Sequence, residues 1–91
     1  MINMDTVISK TEELVLAELD GKVVMMSIEN GQYYGLDEVG SIIWEMMNEP
    51  VQVKDVIARL VQEYEVTQEE CEKDVLAFLK KMHDKKLIIL K

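Results

Sequence analysis

The stretch from Asn30 to Trp44 constrains the fold more than any other part of the chain. It reads NGQYYGLDEVGSIIW, which is typical of a tight turn, a short strand and the first turns of a helix. The residues before it have strand-like patterns, whereas those after it have helical periodicity until the last few positions. The sequence therefore predicts an α+β fold. The short strand, residues 32–36, would end a sheet and leave an open edge that could serve as the working surface.

Two further strands are predicted before this turn. Residues 14–19 and 23–28 are rich in apolar and β-branched side chains, and Asp20-Gly21 between them is a turn signal. Earlier in the chain, Val7 and Ile8 could form a short strand or cover the core. The sequence thus predicts a three-stranded antiparallel sheet ahead of the helices.

The register of the last hairpin can be judged from its pattern, because Asn30-Gly31 is the strongest hairpin signal in the chain. A two-residue loop would place Ile28 beside Tyr33, and a three-residue loop would pair Ile28 with Gln32. We favour the three-residue loop, since a slip of one residue would turn the apolar set outward. The set that this register gathers on one face is Val24, Met26, Tyr34 and Leu36.

Three helices are predicted after the sheet. Asp37 is a good N-cap for the first helix. That helix should end before Pro50, because the residue before a proline disfavours helical backbone angles. Apolar positions at helical spacing define that helix and a second one over residues 53–64. Thr67 and Glu70 match a capping box, so a third helix should begin there and run to about Lys85. The first helix's apolar face comprises Val39, Ile42, Ile43, Met46 and Met47, and residues 87–90 form a terminal strand or tail.

The third helix has more apolar surface than one core needs. One stripe consists of Val75, Leu76, Leu79 and Met82. A second stripe, rotated from the first, consists of Cys71, Val75, Phe78 and Met82, with Asp74 on its rim. These stripes predict either a wide buried face or a groove beside the sheet, and an exposed apolar groove usually marks a binding site.

Composition excludes several functions. The chain has 91 residues, which predicts a single domain spanning 1–91, and a net charge of −8, which disfavours nucleic acid and anionic membranes as partners. The single cysteine, Cys71, allows no intrachain disulfide, and no secretion signal or membrane span is visible, so a cytoplasmic protein is expected. Neither Cys71 nor the single histidine, His83, has a partner that would suggest catalysis or a metal site, so no enzyme activity, metal or cofactor is expected.

Three segments resemble the family of the D protein of pyrroloquinoline quinone biosynthesis, the PqqD-like recognition elements of ribosomal peptide modification systems. They are residues 31–40 (GQYYGLDEVG), Ile43-Trp44 and residues 74–79 (DVLAFL), and the likeness extends from about Leu14 to Leu90. Two positions depart from the family pattern. Asp37 replaces a usual Asn, and Lys86 replaces a frequent Gly, which leaves the end of the third helix open.

The resemblance implies a winged helix-turn-helix-like fold that binds a leader peptide without catalysis. The leader would add as a strand to residues 32–36 and place side chains in a groove against the third helix, and a leader peptidase and a cyclase would then act on the precursor. The expected peptide-binding residues are Gln32, Tyr33, Tyr34, Gly35, Leu36, Cys71, Asp74, Val75, Phe78 and Met82. Two alternatives stay open, a winged-helix nucleic-acid binder and a structural subunit that dimerises. A monomer or weak homodimer is expected.

Overall fold

Two three-stranded antiparallel sheets and three helices make up the part of the chain that the structure, a computed structural model, describes, residues 2–12 and 14–91. The strands are β1 (Val7–Lys10), β2 (Leu14–Leu19), β3 (Lys22–Ser27), β4 (Tyr33–Gly35), β5 (Val51–Gln52) and β6 (Ile88–Leu90). The helices are α1 (Glu38–Met46), α2 (Val53–Glu63) and α3 (Gln68–Asp84). The prediction of an α+β fold is therefore confirmed.

The first sheet has the order β2-β3-β4 and contains the three predicted strands. Its first hairpin turns at Asp20-Gly21, where both residues have positive φ (53° and 78°) and Leu19 pairs with Lys22. This is the two-residue turn that matches strand twist, so the turn predicted here is confirmed.

The second hairpin differs from the prediction by one residue. Met25, not Met26, lies opposite Tyr34, and the loop contains four residues, 28–31. The Ser27 N–H donates to the carbonyl of Gln32 at 2.9 Å, and Gly31, at φ 70°, lets the loop close. The favoured three-residue loop was wrong because Ser27, not Ile28, pairs with Gln32, and this shift of one residue turns the opposite face of β3 inward. Val23 and Met25 are buried, while Val24 and Met26 are only half-buried.

Helix α1 is fastened to this sheet by its first turn. Asp37 caps it, accepting a hydrogen bond from the Gly40 N–H at 2.7 Å, as predicted. The buried Ser41 hydroxyl accepts from the Val23 N–H at 2.9 Å and lies 3.4 Å from the Leu36 carbonyl. These bonds hold the start of α1 directly beside the end of β4. The predicted apolar face is rotated, since Val39 is 44% exposed, whereas Trp44 is buried.

The second sheet has the order β5-β1-β6 and brings both ends of the described chain together. Ile8 pairs with Val51 on one side and with Leu90 on the other, and it is fully buried. Both roles predicted for Val7 and Ile8 are observed, because the two residues lie in β1 and the Ile8 side chain belongs to the core. Strands β1 and β6 pair with each other and not with β4, so β4 remains at an edge of the first sheet.

Helix α3 begins and ends at well-defined caps. The Thr67 hydroxyl accepts a hydrogen bond from the Glu70 N–H at 3.2 Å, as the capping signal predicts. At the other end, the Lys86 N–H donates to His83 O at 2.9 Å and the Leu87 N–H donates to Met82 O at 3.0 Å. This pair of bonds is the Schellman motif, which requires a left-handed residue, and Lys86 has φ 60°. The frequent glycine of the family is therefore explained, and α3 ends at Asp84.

The core lies between the sheets and the three helices. From α3 it takes Cys71, Val75, Leu79 and Met82, all buried, while Leu76 and Phe78 are half-buried on opposite flanks of the helix. The buried face of α3 combines residues of both predicted stripes, so neither stripe alone describes it.

Within the described residues, no helix is long and apolar enough to cross a bilayer.

Candidate functional site

The outer edge of β4 is the first component of the candidate site. Hydrogen bonds to β3 fall at alternate residues of this segment, Gln32, Tyr34 and Leu36. Tyr33 and Gly35 lie between them, so their N–H and C=O groups point away from β3. Across residues 2–12 and 14–91, no strand pairs with that side of β4. The backbone of Tyr33 and Gly35 is therefore available to a further strand.

A groove adjoins this edge, between β4 and the C-terminal half of α3, which we call groove A. It encloses about 370 Å³. Its floor and walls are mostly apolar, with two lysines on the helix side. The residues that line groove A are Tyr33, Tyr34, Gly35, Leu36, Asp37, Phe78, Lys81, Met82, Lys85 and Leu87.

A second groove, groove B, continues from the first between α1 and the middle of α3. It encloses about 290 Å³ and is lined by Asp37, Val39, Gly40, Ile43, Asp74, Val75 and Phe78. Phe78 and Asp37 line both grooves, and the Phe78 side chain lies at the boundary between them. A Cβ on Gly40 would lie 3.1 Å from the Phe78 ring, which shows how closely the ring approaches α1. The absence of a side chain at Gly40 is what makes room for this ring.

The structure gathers most of the predicted site residues, in two groups. Those in groove A are Tyr33, Tyr34, Gly35, Leu36, Phe78 and Met82, and those in groove B are Asp74, Val75 and Phe78. Gln32 lines neither groove. It is exposed at the start of β4, and its side-chain oxygen accepts from the Tyr34 hydroxyl at 3.1 Å.

Cys71 also lines neither groove, because it belongs to the core. Its side chain is 6% exposed. Burial, followed by the nearby charges of Asp74 and Glu72, raises the pKa of the Cys71 thiol above its ordinary value of 9.0. The group that serves as nucleophile or metal ligand is the thiolate, so a raised pKa leaves Cys71 a neutral apolar side chain near pH 7.

Sequence reasoning missed Asp37, Lys81, Lys85 and Leu87 as parts of groove A. A usable signal was present for the two lysines, because Lys81 and Lys85 follow Phe78 at spacings of three and seven residues, which puts all three on one face of α3. The Lys85 ammonium lies 5.3 Å from the centroid of the Tyr34 ring, a cation–π distance. Lys81 and Lys85 therefore both contribute to the helix side of the groove.

The opposite edge of the same sheet, β2, is also free of a strand partner within the described part of the chain. Val15, Leu16 and Leu19 on β2 are 52%, 49% and 64% exposed. The cavity beside this strand, lined in part by Leu16, Val23 and Trp44, is smaller, at about 220 Å³. The two edges therefore differ, since only β4 has grooves A and B beside it.

The structure is thus an α+β fold with an open sheet edge beside a helix-walled groove, and comparison with known proteins identifies its family. The family described as coenzyme PQQ synthesis protein D (PqqD) matches residues 22–88. The chain therefore belongs to the PqqD family, as its resemblance predicted. No curated protein sequence matches the chain.

Two solved structures share the fold. TbiB1 in complex with the TbiA(beta) leader peptide is 31% identical, with a TM-score of 0.82, and the match covers 88% of this chain and 93% of that one. Lasso peptide synthetase B1 complexed with the leader peptide is 21% identical, with a TM-score of 0.75, covering 90% of this chain and 96% of that one. The second likeness concerns the fold alone.

Proposed function

We propose that this chain binds the leader segment of a ribosomally made precursor peptide and does not itself catalyse a reaction. Residues 1–91 act as one recognition domain, and the bound precursor is delivered to a leader peptidase and a cyclase of the same pathway. Support comes from PqqD-family membership and from the 31% identical TbiB1, whose structure contains a leader peptide. The raised thiol pKa of Cys71 supports the non-catalytic part, because it disfavours the thiolate.

The observation that carries the proposal is the open edge of β4 beside groove A. A guest strand pairs with the N–H and C=O groups of Tyr33 and Gly35, and this main-chain pairing supplies affinity with little dependence on sequence. Alternate side chains of the guest then point into groove A, and these supply selectivity. Leu36, Phe78 and Met82 form the apolar surface that receives them.

The contacts that a guest strand makes with groove A and the β4 edge set the expected affinity. Burying one or two guest side chains contributes roughly 1.5–3 kcal/mol each, and main-chain hydrogen bonds add about 0.5–1.5 kcal/mol each. Ordering a flexible leader opposes these gains by roughly 2–5 kcal/mol or more. With two buried side chains and four main-chain bonds, the most favourable of these values leave a net of about 10 kcal/mol, so we expect a dissociation constant between roughly 50 nM and the micromolar range.

Nucleic acid is a poor alternative ligand. The net charge of −8 repels phosphates. Helix α2 carries only Lys54 and Arg59 as basic residues, and Arg59 is bonded to Glu63 at 3.2 Å. An excess of unlabelled duplex DNA should therefore leave peptide binding unchanged.

The decisive experiment separates main-chain pairing from side-chain contact at Tyr33, whose side chain is 74% exposed. Tyr33→Pro removes the outward N–H, whereas Tyr33→Ala keeps it, and proline is tolerated where the N–H of an edge strand faces solvent. The probe is the fluorescein-labelled synthetic leader of the precursor encoded beside this chain's gene, titrated by fluorescence anisotropy. Relative to Tyr33→Ala, we expect Tyr33→Pro to bind about 5- to 30-fold more weakly, because one hydrogen bond is lost and a guest carbonyl is left unpaired.

The same pair of substitutions on β2 is the control. Leu16 lies at an outward-facing position of that edge, so Leu16→Pro and Leu16→Ala should bind the leader equally well. If Leu16→Pro weakens binding and Tyr33→Pro does not, the leader adds to β2 and the assignment to β4 is wrong. If the intact protein does not bind the leader at micromolar concentrations and instead forms dimers in sedimentation, the structural-subunit alternative is supported.

A further inference from the structure

The charge of groove A is opposite in sign to that of the chain. The protein has 18 acidic and 10 basic residues excluding His83, yet both charged side chains on the helix wall of groove A are lysines, Lys81 and Lys85. Its one acidic residue is Asp37, whose carboxylate already accepts the Gly40 N–H as the cap of α1. Groove A is therefore a cationic site on an anionic protein.

Lys81 and Lys85 keep an uncompensated charge within the part of the chain that the structure describes. Among the residues described, no carboxylate lies within ion-pair distance of Lys81 or Lys85. The helix dipole favours cations anywhere around the last turn of α3, and Lys80 satisfies it from the other flank, beside Ile2 and Leu76. The dipole does not explain why two further lysines face the groove, so their placement points to an anionic ligand.

Two contacts fix where the apolar and cationic ends of groove A lie along β4. Phe78 packs against Gly40 at the start of α1, which directly follows Leu36 and Asp37. At the other end, Lys85 lies over Tyr34. The apolar end and the cationic end of the groove are thus separated by the step from Leu36 to Tyr34, about 6.7 Å along a strand.

A guest strand beside β4 has the same spacing. Its groove-facing residues are two positions apart and also about 6.7 Å from one another. Along α3, Lys81 and Lys85 lie about 4.5 Å and 10.5 Å beyond Phe78, so a point between them is at a similar distance. One groove-facing side chain of the guest therefore meets Phe78 while the next meets the two lysines.

We propose that the leader recognised by this chain carries an aspartate or glutamate two residues from its apolar anchor, and that this carboxylate is bound by Lys81 and Lys85. The inference rests on the proposed function, since it concerns the guest of the same groove. It adds a charge requirement, with a defined spacing, to the apolar contacts and main-chain pairing. The two lysines attract an acidic leader locally, and this attraction offsets the repulsion between the leader and the net negative charge of the protein.

Three glutamine variants test the lysines, with the labelled leader described above as the probe. We expect Lys81→Gln and Lys85→Gln each to weaken binding about two- to fivefold in 50 mM NaCl, and the double variant about tenfold. Lys80→Gln is the matched control, because it removes the same charge from the other flank of α3, and its binding should change less than twofold. In 500 mM NaCl the difference between the double variant and the intact protein should nearly disappear, because salt screens exposed charges.

Substitutions in the leader identify its carboxylate. Each Asp or Glu of the probe is replaced by Asn or Gln, and each apolar residue by Ala. One acidic position should matter with the intact protein and have no effect with the double lysine variant, and it should lie two residues from the most sensitive apolar position. The inference is overturned if the double variant binds as the intact protein does, or if the acidic position has another spacing. In either case, weaker binding by Tyr33→Pro would still support leader binding itself.

Discussion

Phe78 is the side chain on which grooves A and B both depend, so its truncation is the most informative single change. The ring is half-buried against α1, and the rest of it faces the grooves. An aromatic side chain has roughly 200 Å² of surface, and a guest that covers about a quarter of it buries ~50 Å². At about 25 cal/mol per Å² this area contributes about 1.2 kcal/mol to binding. Phe78→Ala should therefore raise the dissociation constant about eightfold.

The same substitution also affects the fold, and the experiment must separate the two effects. Truncating a fully buried phenylalanine costs about 3–5 kcal/mol, so a half-buried one should cost roughly 1–3 kcal/mol. Leu76→Ala is the matched control, because Leu76 is half-buried on the opposite flank of α3 and lines a different cavity with Ile2. Leu76→Ala should lower the free energy of unfolding by a similar amount and leave leader affinity unchanged. Phe78→Leu, which keeps most of the apolar surface, should bind within about threefold of the intact protein.

Leader affinity is measured by anisotropy at 15 °C, and the free energy of unfolding by urea titration followed by circular dichroism. The reasoning is refuted if Phe78→Ala binds as well as the intact protein while remaining folded. It is also refuted if Leu76→Ala weakens binding as much as Phe78→Ala does, because the effect would then follow stability and not the groove.

Two further predictions concern residues outside the grooves. Lys86→Gly should raise the free energy of unfolding by about 0.5–1 kcal/mol, because a left-handed non-glycine residue costs about 1 kcal/mol or more and only an exposed ion pair with Glu29 is lost. Lys86→Ala loses the same ion pair but keeps the backbone strain, so it should be less stable in urea than Lys86→Gly. The reverse order of stability would contradict this explanation. The raised pKa of Cys71 means that its contribution to stability is fully present below the ordinary thiol pKa of 9.0 and is lost as the pH rises through the folded-state value. The urea midpoint of the intact protein should therefore fall more steeply between pH 8 and pH 10.5 than that of Cys71→Ala, and parallel curves would show that the thiol does not contribute.

Local signals predicted the elements well, because each depends on residues a few positions apart. The turn at Asp20-Gly21 and the caps at Asp37 and Thr67 occur where the sequence places them. Each of these features is a hydrogen bond or a backbone angle that a short segment determines by itself. The α+β class and the position of β4 just before α1 followed from the order of these signals.

Long-range packing decided what the sequence pattern left ambiguous. Both faces of β3 are apolar, so the pattern could not select its register. The observed register places Val23 where its N–H reaches the Ser41 hydroxyl of α1 and its carbonyl accepts the Leu36 N–H. Ser41, the residue whose hydrogen bond favours one register of β3, lies 18 residues beyond Val23. A rule based on neighbouring residues could not have predicted this contact.

Groove A shows the same division between local and tertiary information. The spacing of Phe78, Lys81 and Lys85 was present in the sequence, but spacing alone assigns residues to one face of a helix without saying what that face meets. Cys71 was assigned to the groove for that reason, although the helix turns it into the core. The sequence determined the strand, the helices and their caps, because those depend on neighbouring residues. Which flank of α3 meets β4, and hence which residues line the groove, was decided only by the packing of α1 and the β5-β1-β6 sheet around the core.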